Sequence, residues 1–245
     1  MKTLGLIGFG QFGQLAARVL KDHFDVLVAD ASDGAAQAAA ELGVGFGSIE
    51  QAAAREIVIV AVPVRVMREV FAQIAPHLTA GALVIDVGSV KMLPAQWMAE
   101  LLPEHVDLVA THPLFGPQSA KAGLAGLRLV VCPIRGARAD KVAAFGRSLG
   151  LTVTVTSPEE HDREMAYVQA LTHLIGRSLV NLNIPDEQLK TPSYQHLLEL
   201  CGLIGSDTFE LFTAIQTQNP FASEIANAFV AEARSLLDQV AETRV

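Results

Sequence analysis

Cysteine is scarce in this chain of 245 residues. The two present, Cys132 and Cys201, each lie among apolar neighbours and form no metal-ligand spacing, so no metal site is expected and buried free thiols are. Basic residues are outnumbered: 18 Lys and Arg face 26 Asp and Glu, for a formal net charge of −8. A nucleic-acid partner needs a basic face, so that class is set aside. A small anionic substrate is not, because one pocket can be positive on an acidic protein. No apolar run reaches the length of a membrane span. Met1-Lys2 leads straight into a strand-like segment without room for a signal or transit peptide, which predicts a soluble cytoplasmic protein. Internal repeats, low-complexity tracts and an obvious flexible linker are also missing.

What is present is apolar and globular. Hydrophobic residues make up 51% of the chain and charged ones 18%, a balance that excludes disorder. The length allows one large domain or two smaller ones. From Lys2 to Thr156 short apolar runs alternate with helix-like stretches. Strands are predicted at Thr3–Ile7, Asp25–Ala29, Ile57–Val62, Ala82–Val87, Val106–Ala110, Leu127–Cys132 and Leu151–Thr156. Runs such as Ile57-Val58-Ile59-Val60-Ala61-Val62 suit a parallel sheet buried on both faces, and the alternation gives an α/β, doubly wound, Rossmann-type domain over residues 1–156.

Directly after the first strand comes Gly8-Phe9-Gly10-Gln11-Phe12-Gly13, followed by a predicted helix over Gln14–Asp22. Strand, glycine turn and helix together are the setting of a dinucleotide site. Gly8 permits the tight turn, Gly10 lets the backbone approach a pyrophosphate, and Gly13 lets helix and strand pack closely. The helix start then offers free N–H groups to the phosphates. Asp30 closes the second strand. A carboxylate there accepts from ribose hydroxyls and repels a 2′-phosphate, and no arginine follows it in Ala31-Ser32-Asp33, so NAD is expected over NADP. The alternative is that Asp30 is a solvated loop residue. Ser32, Val62 and Pro63 complete the candidate cofactor set, the last two lying at a strand's carboxyl end, where open α/β sheets bind ligands.

Thr111-His112-Pro113-Leu114-Phe115-Gly116-Pro117 follows the run Val106–Ala110. Its prolines and glycine predict a rigid turn after the strand. A histidine held there suits proton chemistry because its ordinary pKa lies near neutrality, although a histidine bonded to a buried carbonyl would read the same. Ser89, in Gly88-Ser89-Val90-Lys91 after the preceding strand run, is placed to meet His112 across the crevice. A helix N-cap role for Ser89 is compatible with that.

Beyond Thr156 strand signals stop, and residues 157–245 read as a small all-helical domain. Ser157-Pro158-Glu159-Glu160 is a helix start, and one long helix is predicted over Glu159–Asn183, ended by Ile184-Pro185. At about 100° per residue, Asp162, Gln169, His173 and Arg177 fall within an arc of roughly 80°. Met165, Val168, Leu171, Ile175 and Leu179 cover the other faces, so the helix is expected to be buried and the polar stripe to line a cavity. The alternative is an exposed face of i,i+4 pairs. Further helices are predicted at Pro192–Ile204, Ser206–Gln218 and Phe221–Glu242. This much apolar surface on so small a domain predicts a homodimer through the helical half.

Five segments together resemble the arogenate/prephenate (cyclohexadienyl) dehydrogenase family, most of all its plant-like arogenate branch: the glycine loop, Asp86-Val87-Gly88-Ser89-Val90-Lys91, the His112 segment, Glu160-His161-Asp162 and Thr172-His173-Leu174-Ile175-Gly176-Arg177. Ser206–Leu211 and Gln218-Asn219-Pro220 extend the likeness over nearly the whole chain. The resemblance implies oxidative decarboxylation of a dicarboxylate cyclohexadienol in tyrosine biosynthesis, with His112 as catalytic base and Ser89 orienting it. It implies fixed donors for two carboxylates: Gln169, Thr172, His173 and Arg177 first, Lys91 and Gln118 second. Arg177 alternatively braces the helices against the sheet. It also implies that Asp162 favours arogenate, which carries an ammonium where prephenate has a keto group. A prephenate dehydrogenase giving 4-hydroxyphenylpyruvate, or an enzyme of dual specificity, is the alternative. The NADP-using relatives resemble Ser-Arg at Asp30-Ala31, a departure that again favours NAD. Two rivals differ in kind. The β-hydroxyacid dehydrogenases rely on a lysine in the helical domain, and a non-catalytic NAD-binding redox sensor would bind without turnover.

Overall fold

The computed structural model describes residues 1–205 and 207–243. Contacts divide the chain into two compact units, Met1–His161 and Asp162–Val245.

In the first unit β1 (Thr3–Ile7), α1 (Gln11–Leu20), β2 (Asp25–Ala29), α2 (Ala35–Leu42), β3 (Gly45–Phe46), α3 (Ile49–Ala53), β4 (Ile57–Val60), α4 (Val64–Ile74), β5 (Leu83–Asp86), α5 (Met92–Leu101), β6 (Asp107–Pro113), β7 (Arg128–Arg135), α6 (Ala139–Ser148) and β8 (Thr152–Val155) follow in order. Among the described residues the strands form one sheet, ordered β3-β2-β1-β4-β5-β6-β7-β8. Six of them are parallel in the doubly wound order, with the reversal between β1 and β4. Val58 and Val60 pack with Met67, Phe71 and Ile74 of α4 on one face. Leu4, Leu6, Val26 and Val28 pack with Ala17 of α1 and Ala143 of α6 on the other. Burial on both faces is why these strands read as unbroken apolar runs.

Two departures from the sequence reading concern the sheet. β3 is only two exposed residues long and carries no apolar run to signal it. β7 runs antiparallel to β6, and this carries β6 through Thr111, His112 and Pro113, which pair with Val131, Val130 and Leu129. The expected turn after Ala110 is therefore strand. Pro113 has no N–H to give the ladder, and β6 ends there.

The second unit opens within a helical run. Ser157 Oγ accepts from the Glu160 amide at 3.1 Å, and the Ser157 amide donates back to Glu160 Oε2 at 3.3 Å. This reciprocal cap starts α7 (Pro158–Met165). The predicted single helix is broken by a π-helical segment, Ala166–Leu171, before α8 (Thr172–Leu182). Gln216 Nε2 donates to the Ala170 carbonyl at 2.7 Å, giving a partner to a carbonyl in the widened turn. A constant-pitch wheel therefore does not extend from Asp162 to Arg177, and the predicted stripe is not one row.

Asn183 closes α8 in the left-handed conformation (φ 51°) just before Ile184-Pro185. The remaining helices are α9 (Pro192–Ile204), α10 (Phe209–Gln218) and α11 (Ala222–Glu242). The predicted start at Ser206 lies outside the described residues. α10 is capped instead by Thr208, whose Oγ1 accepts from the Leu211 amide at 3.1 Å. Ala170, Ile215 and Ala222 form the small core of this unit. Val168, expected in the core, lies within the π segment and is 60% exposed beside Tyr167.

Candidate active site

The glycine loop joins β1 to α1. Gly8 has φ +100°, and a Cβ there would come within 2.4 Å of the Ala61 carbonyl oxygen. A Cβ on Gly13 would come within 2.2 Å of the Gly8 carbonyl oxygen. The chain's own packing demands both glycines. Gly10 differs: a Cβ there would meet no atom within 4 Å, so nothing in the protein requires its absence. Open space beside Gly10, next to the first-turn amides of α1, which have no acceptor within their own helix, fits a pyrophosphate.

Asp30, at the end of β2, faces this loop. Its Oδ2 accepts from the Phe9 amide, and its Oδ1 accepts from the Ser32 amide at 2.7 Å and from the Ser32 hydroxyl. Burial raises the pKa of this carboxyl, but the Ser32 and Phe9 donors outweigh it and hold the group below its ordinary value. Asp30 is thus a fixed carboxylate and not a solvated loop residue. Val62 is half-buried against Gly8, and Pro63 is exposed at the start of α4.

The last β5–β6 pair is Asp86 with Ala110, so β6 outlasts its neighbour by three residues. Side chains replace the missing ladder there. Thr111 Oγ1 donates to the Asp86 carbonyl at 2.7 Å, and Lys91 Nζ donates to the Thr111 carbonyl at 2.6 Å. Lys91, wholly buried, also pairs with Asp86 Oδ2, which takes the Gly88 amide at 2.9 Å. Burial pushes the Asp86 carboxyl up against the pull of Lys91. Lys91, expected as a second-rank carboxylate donor, is engaged as an internal brace beneath His112.

His112 is buried on this projecting segment. Its Nδ1 lies 2.8 Å from Nε2 of His161, with ring planes at 65°. Burial, then the neighbouring His161 and Lys91, hold the His112 pKa well below the usual histidine value. The imidazole is neutral at physiological pH, which a general base requires. Ser89 is half-buried and, among the described residues, shares no hydrogen bond with His112. Nor does it cap α5, whose N-cap position is Lys91. Phe115, just past β6, packs on Phe12 of α1 with ring centroids 6.4 Å apart, tying the histidine segment to the glycine loop. Gln118 is exposed on the loop beyond.

In the helical unit Asp162 is fully buried, and its main-chain carbonyl accepts from Asn219 Nδ2 at 2.7 Å. Gln169 is half-buried in the π segment, and Thr172 opens α8. His173 and Arg177 converge on Asp207. His173 Nδ1 lies 3.6 Å from its carboxylate, and Arg177 Nη2 donates to its carbonyl at 2.6 Å. Burial lowers the His173 pKa, Asp207 opposing and Arg177 reinforcing. Among the described residues His173 Nδ1 and Arg177 Nε are buried without a hydrogen-bond partner, so both side chains retain donor or acceptor capacity. The sequence reading gives neither Asp207 nor His161 a role. Both stand inside segments that carry the family resemblance, and only tertiary contact brings them to His173, Arg177 and His112.

This is a Rossmann-type nucleotide-binding domain joined to a helical one. The family model "Prephenate dehydrogenase, nucleotide-binding domain" matches residues 16–149, and "Prephenate dehydrogenase, dimerization domain" matches residues 157–244. The chain belongs to the prephenate dehydrogenase family. It is 34% identical, over 97% of its length, to a Methanocaldococcus jannaschii protein named "Probable arogenate/prephenate dehydrogenase", covering 56% of that protein. It is 29% identical, again over 97% of its length, to Arabidopsis thaliana "Arogenate dehydrogenase 1, chloroplastic", covering 39%. The chain thus spans about half the length of these curated relatives or less. Its fold is that of Aquifex aeolicus prephenate dehydrogenase solved with hydroxyphenyl propionate and NAD+ (TM-score 0.77, 22% identity, 99% and 93% of the two chains). Synechocystis arogenate dehydrogenase also shares it (TM-score 0.72, 17% identity, 99% and 93%). Among the described residues no helix is long and apolar enough to cross a membrane, and no cluster of side chains could hold a metal ion.

Proposed function

We propose that this chain oxidatively decarboxylates arogenate to tyrosine with NAD as hydride acceptor. The observation that carries the reading is His112: a buried, neutral imidazole on the segment of β6 that projects past β5, in the sheet that bears the glycine loop. A nicotinamide dinucleotide held by Gly8–Gly13 and Asp30 supplies the hydride acceptor. His112 Nε2 takes the proton of the ring hydroxyl as the carbinol hydrogen departs as hydride. Loss of the ring carboxylate as CO2 then leaves a phenol, which makes the step irreversible. Gln169, Thr172, His173 and Arg177 bind the carboxylates, and the guanidinium of Arg177 is suited to a bidentate pair.

Asp30 supports NAD, because a 2′-phosphate would meet a carboxylate already fixed by Phe9 and Ser32. Asp162 supports arogenate: a carboxylate favours a substrate ammonium over a keto group, and relatives named arogenate dehydrogenase cover nearly the whole chain. The second reading is prephenate oxidation, alone or with dual specificity, which the names of other relatives favour. The protein acts as a homodimer through its helical unit, supported by the family name of that unit. Phe229, Val230, Leu236, Leu237 and Val240 also line an exposed apolar stripe along α11.

A spectrophotometric assay of arogenate and prephenate, each with NAD and NADP, tests the proposal. The highest kcat/KM is expected for arogenate with NAD. Preference for prephenate or NADP overturns that part, and cofactor binding without turnover on either substrate leaves a redox sensor.

A further inference from the structure

We infer that His161 is the positioning residue of the site: its Nε2 accepts the Nδ1–H of His112, fixing that ring's tautomer and angle so that Nε2 carries the lone pair. The inference rests on the reading of His112 as base and gives His161 the orienting role that the family resemblance implied for Ser89.

Two imidazole nitrogens 2.8 Å apart are placed to share one proton. If it sits on His112 Nδ1, then His112 Nε2 is an acceptor and can take a proton. If it sits on His161 Nε2, then His112 Nε2 carries a hydrogen and cannot act as a base. The arrangement therefore decides whether the site works, and it is built to be definite. His112 is 5% exposed and His161 2%, so water does not compete for the bond. His112 is held by β7 through its pairing with Val130, and His161 by the first turns of α7, where its amide donates to Ser157 at 3.0 Å. The Ser157–Glu160 cap locks that turn. Among the described residues Ser89 shares no hydrogen bond with His112.

The acceptor is an imidazole and not the carboxylate that orients histidine in a Ser-His-Asp triad. It fixes the tautomer without placing a full negative charge beside the ring. Lys91, which pairs with Asp86 and donates to the carbonyl of the preceding residue Thr111, adds a nearby cation. His112 is thus oriented and kept neutral together, and when it gains a proton at Nε2 the Nδ1–H bond to His161 shares the new charge.

The test combines 15N NMR of histidine-labelled protein with the kinetics of His161→Ala and His161→Gln. In the wild type the His112 signal, assigned by its loss in His112→Asn, should show the Nδ1–H tautomer. His161→Ala should mix the tautomers and lower kcat about 10- to 100-fold, with KM for either substrate changed less than about threefold. Gln can present a carbonyl oxygen at similar reach, so His161→Gln should recover most of the rate. A wild-type His112 protonated at Nε2, or a folded His161→Ala with kcat within twofold of wild type, overturns the inference. Should His161→Ala fail to fold, the wild-type spectrum still decides. Absence of turnover by wild type on either cyclohexadienyl substrate would defeat the functional reading instead, and the spectrum would report the tautomer regardless.

Discussion

The main-chain amide of Phe9, in the middle of the glycine loop, donates to the carboxylate of Asp30 at the end of β2. One side chain thus ties the end of the second strand to the loop and holds the loop in shape. Asp30→Ser should lower kcat/KM with NAD by about 10-fold or more and narrow the margin over NADP, since the repelling charge is gone. It should also cost about 1.5–3 kcal/mol of stability, the usual worth of hydrogen bonds to a charged group. Paired cofactor titrations and a urea melt separate the two effects. An unchanged cofactor ratio would remove Asp30 from nucleotide selection.

His112→Ala should lower turnover by about 10²- to 10⁴-fold while the protein stays folded by circular dichroism. Because burial and its neighbours depress its pKa, the acidic limb of the wild-type kcat/KM profile should lie below 6.5, the ordinary histidine value. A limb at or above that value would contradict the environment described for the ring.

The same depression makes stability pH-dependent with a definite sign. His112 and His173 both have folded pKa values below the unfolded one. Between those values the unfolded chain binds more protons, so stability is full above about pH 6.5 and falls as pH drops toward the folded pKa. His112 alone contributes a slope of up to about 1.4 kcal/mol per pH unit. Asp86, raised by burial, has the opposite sign, its contribution being full below its unfolded value and lost as pH rises through the folded one. Urea midpoints at pH 7.5, 6 and 5 should decline in that order, and His112→Gln should flatten the trend.

Lys91→Met should act on the fold before it acts on substrate. It leaves Asp86 buried and unpaired and the Thr111 carbonyl without its donor, and breaking a buried pair from one side costs about 3–5 kcal/mol. The expected readout is a large drop in thermal midpoint. A stable variant with only a raised KM for substrate would return Lys91 to the binding set.

Most of the sheet was legible because parallel strands buried on both faces print as apolar runs, and the glycine loop because Gly8 and Gly13 are steric necessities. The exact reach of β6 was not. Pro113 reads locally as a stop, and only the antiparallel partner β7, with Thr111 and Lys91 closing the open edge, lets the strand continue through His112. The His112–His161 contact spans 49 positions and no periodicity signals it. The π segment is not legible for a similar reason: the Ala170 carbonyl within it finds its side-chain donor, Gln216, on another helix.

That widened turn has a consequence for how the chain can change. A helix interrupted in this way holds one residue more than regular winding needs. Deleting a single position between Ala166 and Leu171 would let ordinary α-helical winding run through without a gap. The local backbone would then be more regular, and because five α-helical residues turn nearly as far as six in the widened winding, His173 and Arg177 would keep facing Asp207. Shortening this stretch by one should therefore leave a folded protein, and what it gives up is the bond from Gln216 to the Ala170 carbonyl.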